Sequence, residues 1–112
     1  MTEITLLGNP LSTNNIYKHT GNRTYMTHRG KQLKYDYYIQ LKNQYKGRIR
    51  TDDIDLRIEL FFGDLRKRDV DNYNKILLDV CTGILWEDDS QIQSLLIVKN
   101  YDKKNPRIEL SL

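Results

Sequence analysis

The stretch Ile54-Asp55-Leu56-Arg57-Ile58-Glu59-Leu60-Phe61-Phe62 constrains this chain more than any other. Ile54, Leu56, Ile58, Leu60 and Phe62 fall at every second position, with Asp55, Arg57, Glu59 and Phe61 between them. Side chains alternate across a strand, so the pattern predicts a β-strand with one face against a core. Gly63 ends it. A strand of this kind cannot stand alone, and the rest of the chain must supply its neighbours and its cover.

Ile4 to Leu7 reads as a short strand, closed by Gly8-Asn9-Pro10. Residues 9–24 read as a polar loop, with a brief strand at Tyr25 and Met26. Thr27 suits a helix N-cap, because its hydroxyl can accept from an orphan backbone N–H. The helix is expected to run to about Tyr45, with Gly47 as its stop. Leu33, Tyr37, Leu41 and Tyr45 recur every four residues as its apolar stripe, joined by Tyr38. A second helix is expected from about Asp69 to Thr82, closed by Gly83. Gln91 to Tyr101 reads as a strand, Lys103 to Pro106 as a turn, and Arg107 to Leu112 as a final alternating strand. The order β-α-β-α-β-β predicts an α/β (α+β) fold: a small mixed β-sheet with two main helices packed on it. At 112 residues the chain is expected to form one domain spanning 1–112.

Composition narrows the function classes. A hydrophobic fraction of 38% with 29% charged residues suits a small folded domain rather than a disordered tail. Net charge is +3 and the pI about 9.0, so the chain is only mildly basic and the placement of charge matters more than its sum. The single cysteine, Cys81, excludes an intrachain disulfide and reads as inert core. No signal-like opening and no apolar run of membrane length is present, so a cytoplasmic protein with no membrane partner is expected. His19 and His28 read as surface residues, and Trp86 as core or as a lid on the acidic turn after the second helix. Eight tyrosines against one tryptophan and two phenylalanines suit amphipathic surfaces, including dimer and nucleic-acid interfaces, but tyrosine is also ordinary core filler.

The segment from Arg66 to Lys75 carries the chemistry. Arg66, Lys67 and Arg68 precede Asp69, Val70, Asp71 and Asn72, and Lys75 follows. On a helix beginning at Asp69, the side chains of Asp71, Lys75 and Asp79 share one face, while Tyr73, Ile76, Leu77 and Val80 face the core. Carboxylates bind Mg²⁺, which can polarise a phosphoryl oxygen and activate water. A nearby lysine can stabilise charge at phosphorus, and the basic run can neutralise DNA phosphates. Glu87-Asp88-Asp89 offers a further carboxylate. Each element has an ordinary reading too. Asp69 is a good N-cap, Asp71 and Lys75 are a plain i,i+4 ion pair, and the acidic triplet is an acceptable exposed turn.

Taken together, Arg68-Asp69-Val70-Asp71-Asn72, Lys75, Asp79, Gly83, Asp88-Asp89 and Gln91-Ile92 resemble the signature of RusA-type Holliday-junction resolvases. Thr13-Asn14-Asn15-Ile16-Tyr17 resembles that family's N-terminal Asn-Asn loop, and Lys99 falls where the family has a lysine. The chain departs from the pattern in having only Pro10 before that loop and Ile16 where an arginine is usual. The resemblance implies a homodimeric, Mg²⁺-dependent endonuclease, often of phage origin, that resolves four-way DNA junctions by paired symmetric nicks in recombination and repair. It implies Asp69, Asp71 and Asp89 as metal-binding carboxylates, and Lys75 as the catalytic lysine. Asn72 would support the site, and Asp88 would either support it or serve as an alternative ligand. Asn14, Asn15, Arg66, Lys67 and Arg68 would contact DNA. The rival expectations are a junction-binding protein without catalysis, and an interaction module whose acids are only caps and ion pairs.

Overall fold

The computed structural model describes residues 1–112. Its elements are β1 (Glu3–Leu7), α1 (Thr13–Ile16), β2 (Tyr17–Thr20), β3 (Arg23–Met26), α2 (His28–Gln44), β4 (Ile54–Phe62), α3 (Lys75–Cys81), β5 (Ile92–Tyr101) and β6 (Arg107–Ser111). Single 3₁₀ turns lie at Val70–Asn72 and Asp89–Gln91. The main sheet runs β1-β6-β4-β5, and β2 and β3 form a separate hairpin. β4 pairs antiparallel with β6 and parallel with β5, so the sheet is mixed as expected. The parallel pair follows from connectivity. The chain leaves β4, crosses through α3 and returns as β5, which is the crossover that parallel neighbours require.

β4 behaves as its alternation demands. Ile54, Leu56, Ile58, Leu60 and Phe62 are all buried, and they join Ile4 and Leu6 from β1 with Ile108 and Leu110 from β6. α2 covers this face with Tyr37 and Leu41, and α3 with Ile76, Leu77, Val80 and Cys81. Trp86 is fully buried in the same cluster. Each such side chain contributes roughly 1.5–3 kcal/mol of hydrophobic stabilisation. No helix is long and apolar enough to cross a membrane.

α2 also guards one sheet edge. Gln40 accepts from the Leu7 N–H at 2.7 Å, and Gln44 accepts from the Thr5 N–H at 2.9 Å. Both amides donate back, Gln40 to the Leu7 carbonyl and Gln44 to the Thr5 carbonyl. These two side chains stand in for a neighbouring strand on β1, whose unpaired backbone would otherwise invite edge pairing. The opposite edge, β5, has no such cover, and Leu95 and Leu96 are 39% and 51% exposed there.

Four expectations need correction. Residues 9–24 are not a plain loop: they hold one helical turn and most of the β2–β3 hairpin, which closes through Gly21 at φ +58°. Strands of four residues, written largely in Lys18, His19, Arg23 and Thr24, carry no apolar alternation to announce them. The second helix starts at Lys75, not Asp69. Asp69, Asp71, Asn72 and Asn74 have short polar side chains that compete for backbone groups, so this stretch prefers a 3₁₀ turn and bends. α2 ends at Gln44, about where expected, but its C-cap is Tyr45 and not Gly47. Finally, Tyr38 lies outside the apolar stripe, 44% exposed. Thr27 caps α2 as expected, accepting from Gly30 N at 3.0 Å, and Gly83 leaves α3 at φ +89°, a conformation glycine tolerates.

Candidate active site

The basic run lies in the connector after β4, and Phe62 organises it. The Arg68 guanidinium stacks 4.2 Å over the Phe62 ring, and Tyr73 packs edge-on against the same ring at 5.1 Å. Arg68 also pairs with Asp64 at 2.8 Å. That hydrogen-bonded pairing holds the Asp64 carboxyl below its usual range and raises Arg68. From β5, the Lys99 ammonium donates to the Arg68 carbonyl at 3.0 Å. Arg68 is thus largely absorbed into the structure, whereas Arg66 and Lys67 are exposed and enter no ion pair.

The Asn-Asn turn meets this connector across most of the chain. The Thr13 hydroxyl donates to the Asn72 carbonyl at 2.7 Å, linking residues 59 apart. Asn14 lines a cavity of about 440 Å³ with Lys67, Arg68, Asp69 and Asn72. Asn15, held by Ser12 at 2.9 Å, lines an adjoining cavity of about 450 Å³ with Arg66, Lys67 and Arg68. Arg29, from the first turn of α2, lines that second cavity as well. Sequence reasoning missed Arg29, since nothing along the chain marks it as a neighbour of the basic run.

Asp69 and Asp71 are exposed on either side of Val70, and Asp69 forms no capping hydrogen bond. Asp71 and Lys75 do not form the i,i+4 ion pair that a continuous helix implies. Lys75, the first residue of α3, instead places its ammonium 4.3 Å over the Tyr17 ring. The Tyr17 hydroxyl donates to Asp79 at 2.6 Å, one helical turn beyond Lys75. Partial burial, and then this hydrogen bond and the Asp79 charge, raise the Tyr17 phenol above its ordinary range. Tyr17 had a resemblance to mark it but no assigned role.

The second acidic element sits at the other end of α3. Asp89 accepts from the Thr82 hydroxyl at 2.6 Å and from the Trp86 indole N–H at 3.0 Å. Trp86 is therefore both core and anchor for Asp89. Asp88 caps its own turn, accepting from Ser90 N at 3.1 Å, while Gln91 accepts from Asp88 N. Cys81 is buried among apolar neighbours, which pushes its thiol up, as inert core requires.

The expected convergence of Asp69, Asp71 and Asp89 is not what this arrangement provides. No group of three or more His, Cys, Asp or Glu side chains is placed to hold a metal ion. Asp69 and Asp71 precede the start of α3, and Asp89 is tied to its end. Seven residues of helix separate those ends by roughly 10 Å. What the fold does assemble is a continuous polar surface. The Asn14 and Asn15 amides, the exposed cations Arg66 and Lys67 and the Asp69 carboxylate line adjoining cavities, with Asp71 and Lys75 following within six residues of chain, a set suited to a phosphodiester backbone.

Comparison with known proteins agrees with that chemistry. Residues 8–112 match the family model described as Endodeoxyribonuclease RusA. A protein of Escherichia coli K12 called crossover junction endodeoxyribonuclease RusA is 31% identical over 104 residues, covering 92% of this chain and 87% of that protein. The protein of the same name from Shigella sonnei is also 31% identical with the same coverage. The one from Enterobacteria phage 82 is 30% identical over 104 residues.

Proposed function

The chain belongs to the RusA endodeoxyribonuclease family, and on that premise we propose that it cuts four-way DNA junctions with the residues gathered around the start of α3. It is a structure-specific junction endonuclease. The observation that carries the assignment of residues is the packing of the Asn-Asn turn on the acidic connector, fixed by the bond from Thr13 to the Asn72 carbonyl.

In this reading Arg66 and Lys67 neutralise backbone phosphates, and the amides of Asn14 and Asn15 orient the strand between them. Arg68 contributes mainly by keeping its loop in place on Phe62. Lys75 stabilises the negative charge that develops at phosphorus. Asp69 and Asp71 join it at that position; Asp89, held at the far end of α3 by Thr82 and Trp86, is included in the catalytic set on the family resemblance alone, with Asn72 and Asp88 in support. Dependence on Mg²⁺ belongs to the proposal, and Asp69 and Asp71 are exposed hard-oxygen donors suited to it. Because the three aspartates are not grouped around one position, no chemical step is assigned to the ion.

A homodimer also belongs to the proposal. Paired nicks on opposite strands of a junction call for two sites related by a twofold axis. The uncovered β5 edge, with Leu95 and Leu96 exposed, offers apolar surface to a second copy.

A synthetic four-way junction, incubated with the protein with and without Mg²⁺, tests the reading. Symmetric nicks that appear only with the cation support it. Cleavage of linear duplex at the same rate as the junction, or binding without cleavage under every divalent ion, overturns it.

A further inference from the structure

α2 has a second patterned face that the core does not use. Lys31, Tyr35, Tyr38 and Lys42 recur along one side of the helix, while Tyr37 between them is buried. Tyr35 is 67% exposed and Tyr38 44%. Two large aromatic rings interleaved with lysines are unusual on a merely solvated helix face. Nor is this face flat. With Met26, it forms one wall of a cavity of about 610 Å³, whose other wall is the C-terminal end of α3 at Asp79, Val80, Thr82 and Gly83. That size lies within the range of roughly 300–1,000 Å³ typical of sites that take small organic groups.

Two further facts give the cavity a direction. Lys31 and Lys34 line it, and neither enters an ion pair, so its lysines are free for an anionic partner. It also adjoins the candidate active site at two points. Thr82 holds Asp89, and Asp79 holds Tyr17 beneath Lys75. Both contacts involve α3 or its C-cap, and α3 starts just after the acidic connector.

We propose that this groove holds unpaired nucleotides at the junction centre, with bases stacked on Tyr35 and Tyr38 and phosphates on Lys31 and Lys34. The inference rests on the reading of the chain as a junction endonuclease. The chemistry is that of single-strand binding generally. Aromatic faces take any base, and neighbouring cations follow the backbone, so recognition is of unstacked strand rather than of sequence. The centre of a four-way junction is where strands exchange and bases are most easily unstacked. A groove of this kind favours branched over linear DNA without a single base-specific contact.

The test uses the full chain in metal-free buffer, with three probes: a four-way junction carrying 2-aminopurine at the exchange point, an oligothymidylate, and a linear duplex. The double variant Tyr35→Ala/Tyr38→Ala is compared with Tyr35→Phe/Tyr38→Phe, which keeps both rings. Stacking predicts that the alanine pair loses about tenfold or more in affinity for the junction and the oligothymidylate. It also predicts a changed 2-aminopurine signal, near-wild-type duplex binding, and no loss in the phenylalanine pair. Unchanged junction affinity and 2-aminopurine signal in the alanine pair overturn the proposal. So does a fall in sedimenting mass in that variant, which assigns the face to a second copy of the chain. A wild-type chain that neither binds nor cuts the junction, yet binds oligothymidylate through these tyrosines, refutes the junction reading and leaves the groove standing. Both tyrosines are exposed, and a melting curve on each variant confirms that it is folded.

Discussion

The Tyr17 hydroxyl donates a 2.6 Å hydrogen bond to the Asp79 carboxylate, joining the start of β2 to the middle of α3 across 62 residues of chain. The same ring lies under the Lys75 ammonium. One tyrosine therefore fixes both the helix that carries the candidate catalytic lysine and the direction in which that lysine points.

Replacing Tyr17 with Phe keeps the ring and removes the donor. Asp79 then loses its partner at a half-buried position, and unfolding free energy should fall by about 1–3 kcal/mol. Urea denaturation measures it. Tyr17→Leu, which also removes the ring face, should in addition slow junction cleavage more than it weakens junction binding. Equal loss in both would show that Tyr17 serves only the fold.

Asp71→Asn should abolish cleavage and preserve or tighten junction binding, because it removes a negative charge beside the phosphates. Gel-shift and cleavage assays on one junction give both readings. Cleavage at the wild-type rate would remove Asp71 from the catalytic set.

The Tyr37 hydroxyl is buried without a hydrogen-bond partner. Tyr37→Phe should therefore leave the melting temperature unchanged or raise it by a few degrees, since an unsatisfied buried polar group costs about 1–3 kcal/mol. Burial first, and the Asp36 charge second, raise the Tyr37 phenol above its ordinary value, as burial and Asp79 do for Tyr17. Both groups favour the protonated, folded state. Their contribution is complete below the ordinary phenol value of about 10 and is lost as pH climbs past it. Stability should fall on alkaline titration, and less steeply in Tyr37→Phe. An identical slope in the two proteins would contradict this.

Gln44→Leu should uncover part of β1. Loss of the paired bonds to the Thr5 backbone is expected to cost about 1–2 kcal/mol and to promote association through the exposed edge. Differential scanning calorimetry and light scattering read the two effects separately. A variant as stable and as monodisperse as its parent would show that the glutamine is dispensable.

Wherever apolar periodicity was strong, sequence and structure coincide. β4 has the bounds its alternation implies, and Ile76, Leu77 and Val80 are buried as helical spacing requires; Tyr73 is buried too, although it precedes α3. Thr27 caps α2 through a bond made entirely within four residues. Such features are local: each depends on burial or on neighbours a few positions away. The family signature was likewise written along the chain, in Asp69, Asp71, Asn72 and Lys75.

Tertiary structure alone decided the rest. The start of α3 slipped to Lys75: residues 70–72 close as a 3₁₀ turn, with the Asn72 N–H bonded to the Asp69 carbonyl, and the Thr13 hydroxyl takes the Asn72 carbonyl from a distant turn. Arg68 was drawn onto Phe62, Lys75 onto Tyr17, and Asp89 onto Trp86 and Thr82. Charged side chains such as these are directed by whichever ring, donor or opposite charge the fold brings within a few ångströms. That proximity arises from packing between distant segments, and no local pattern encodes it.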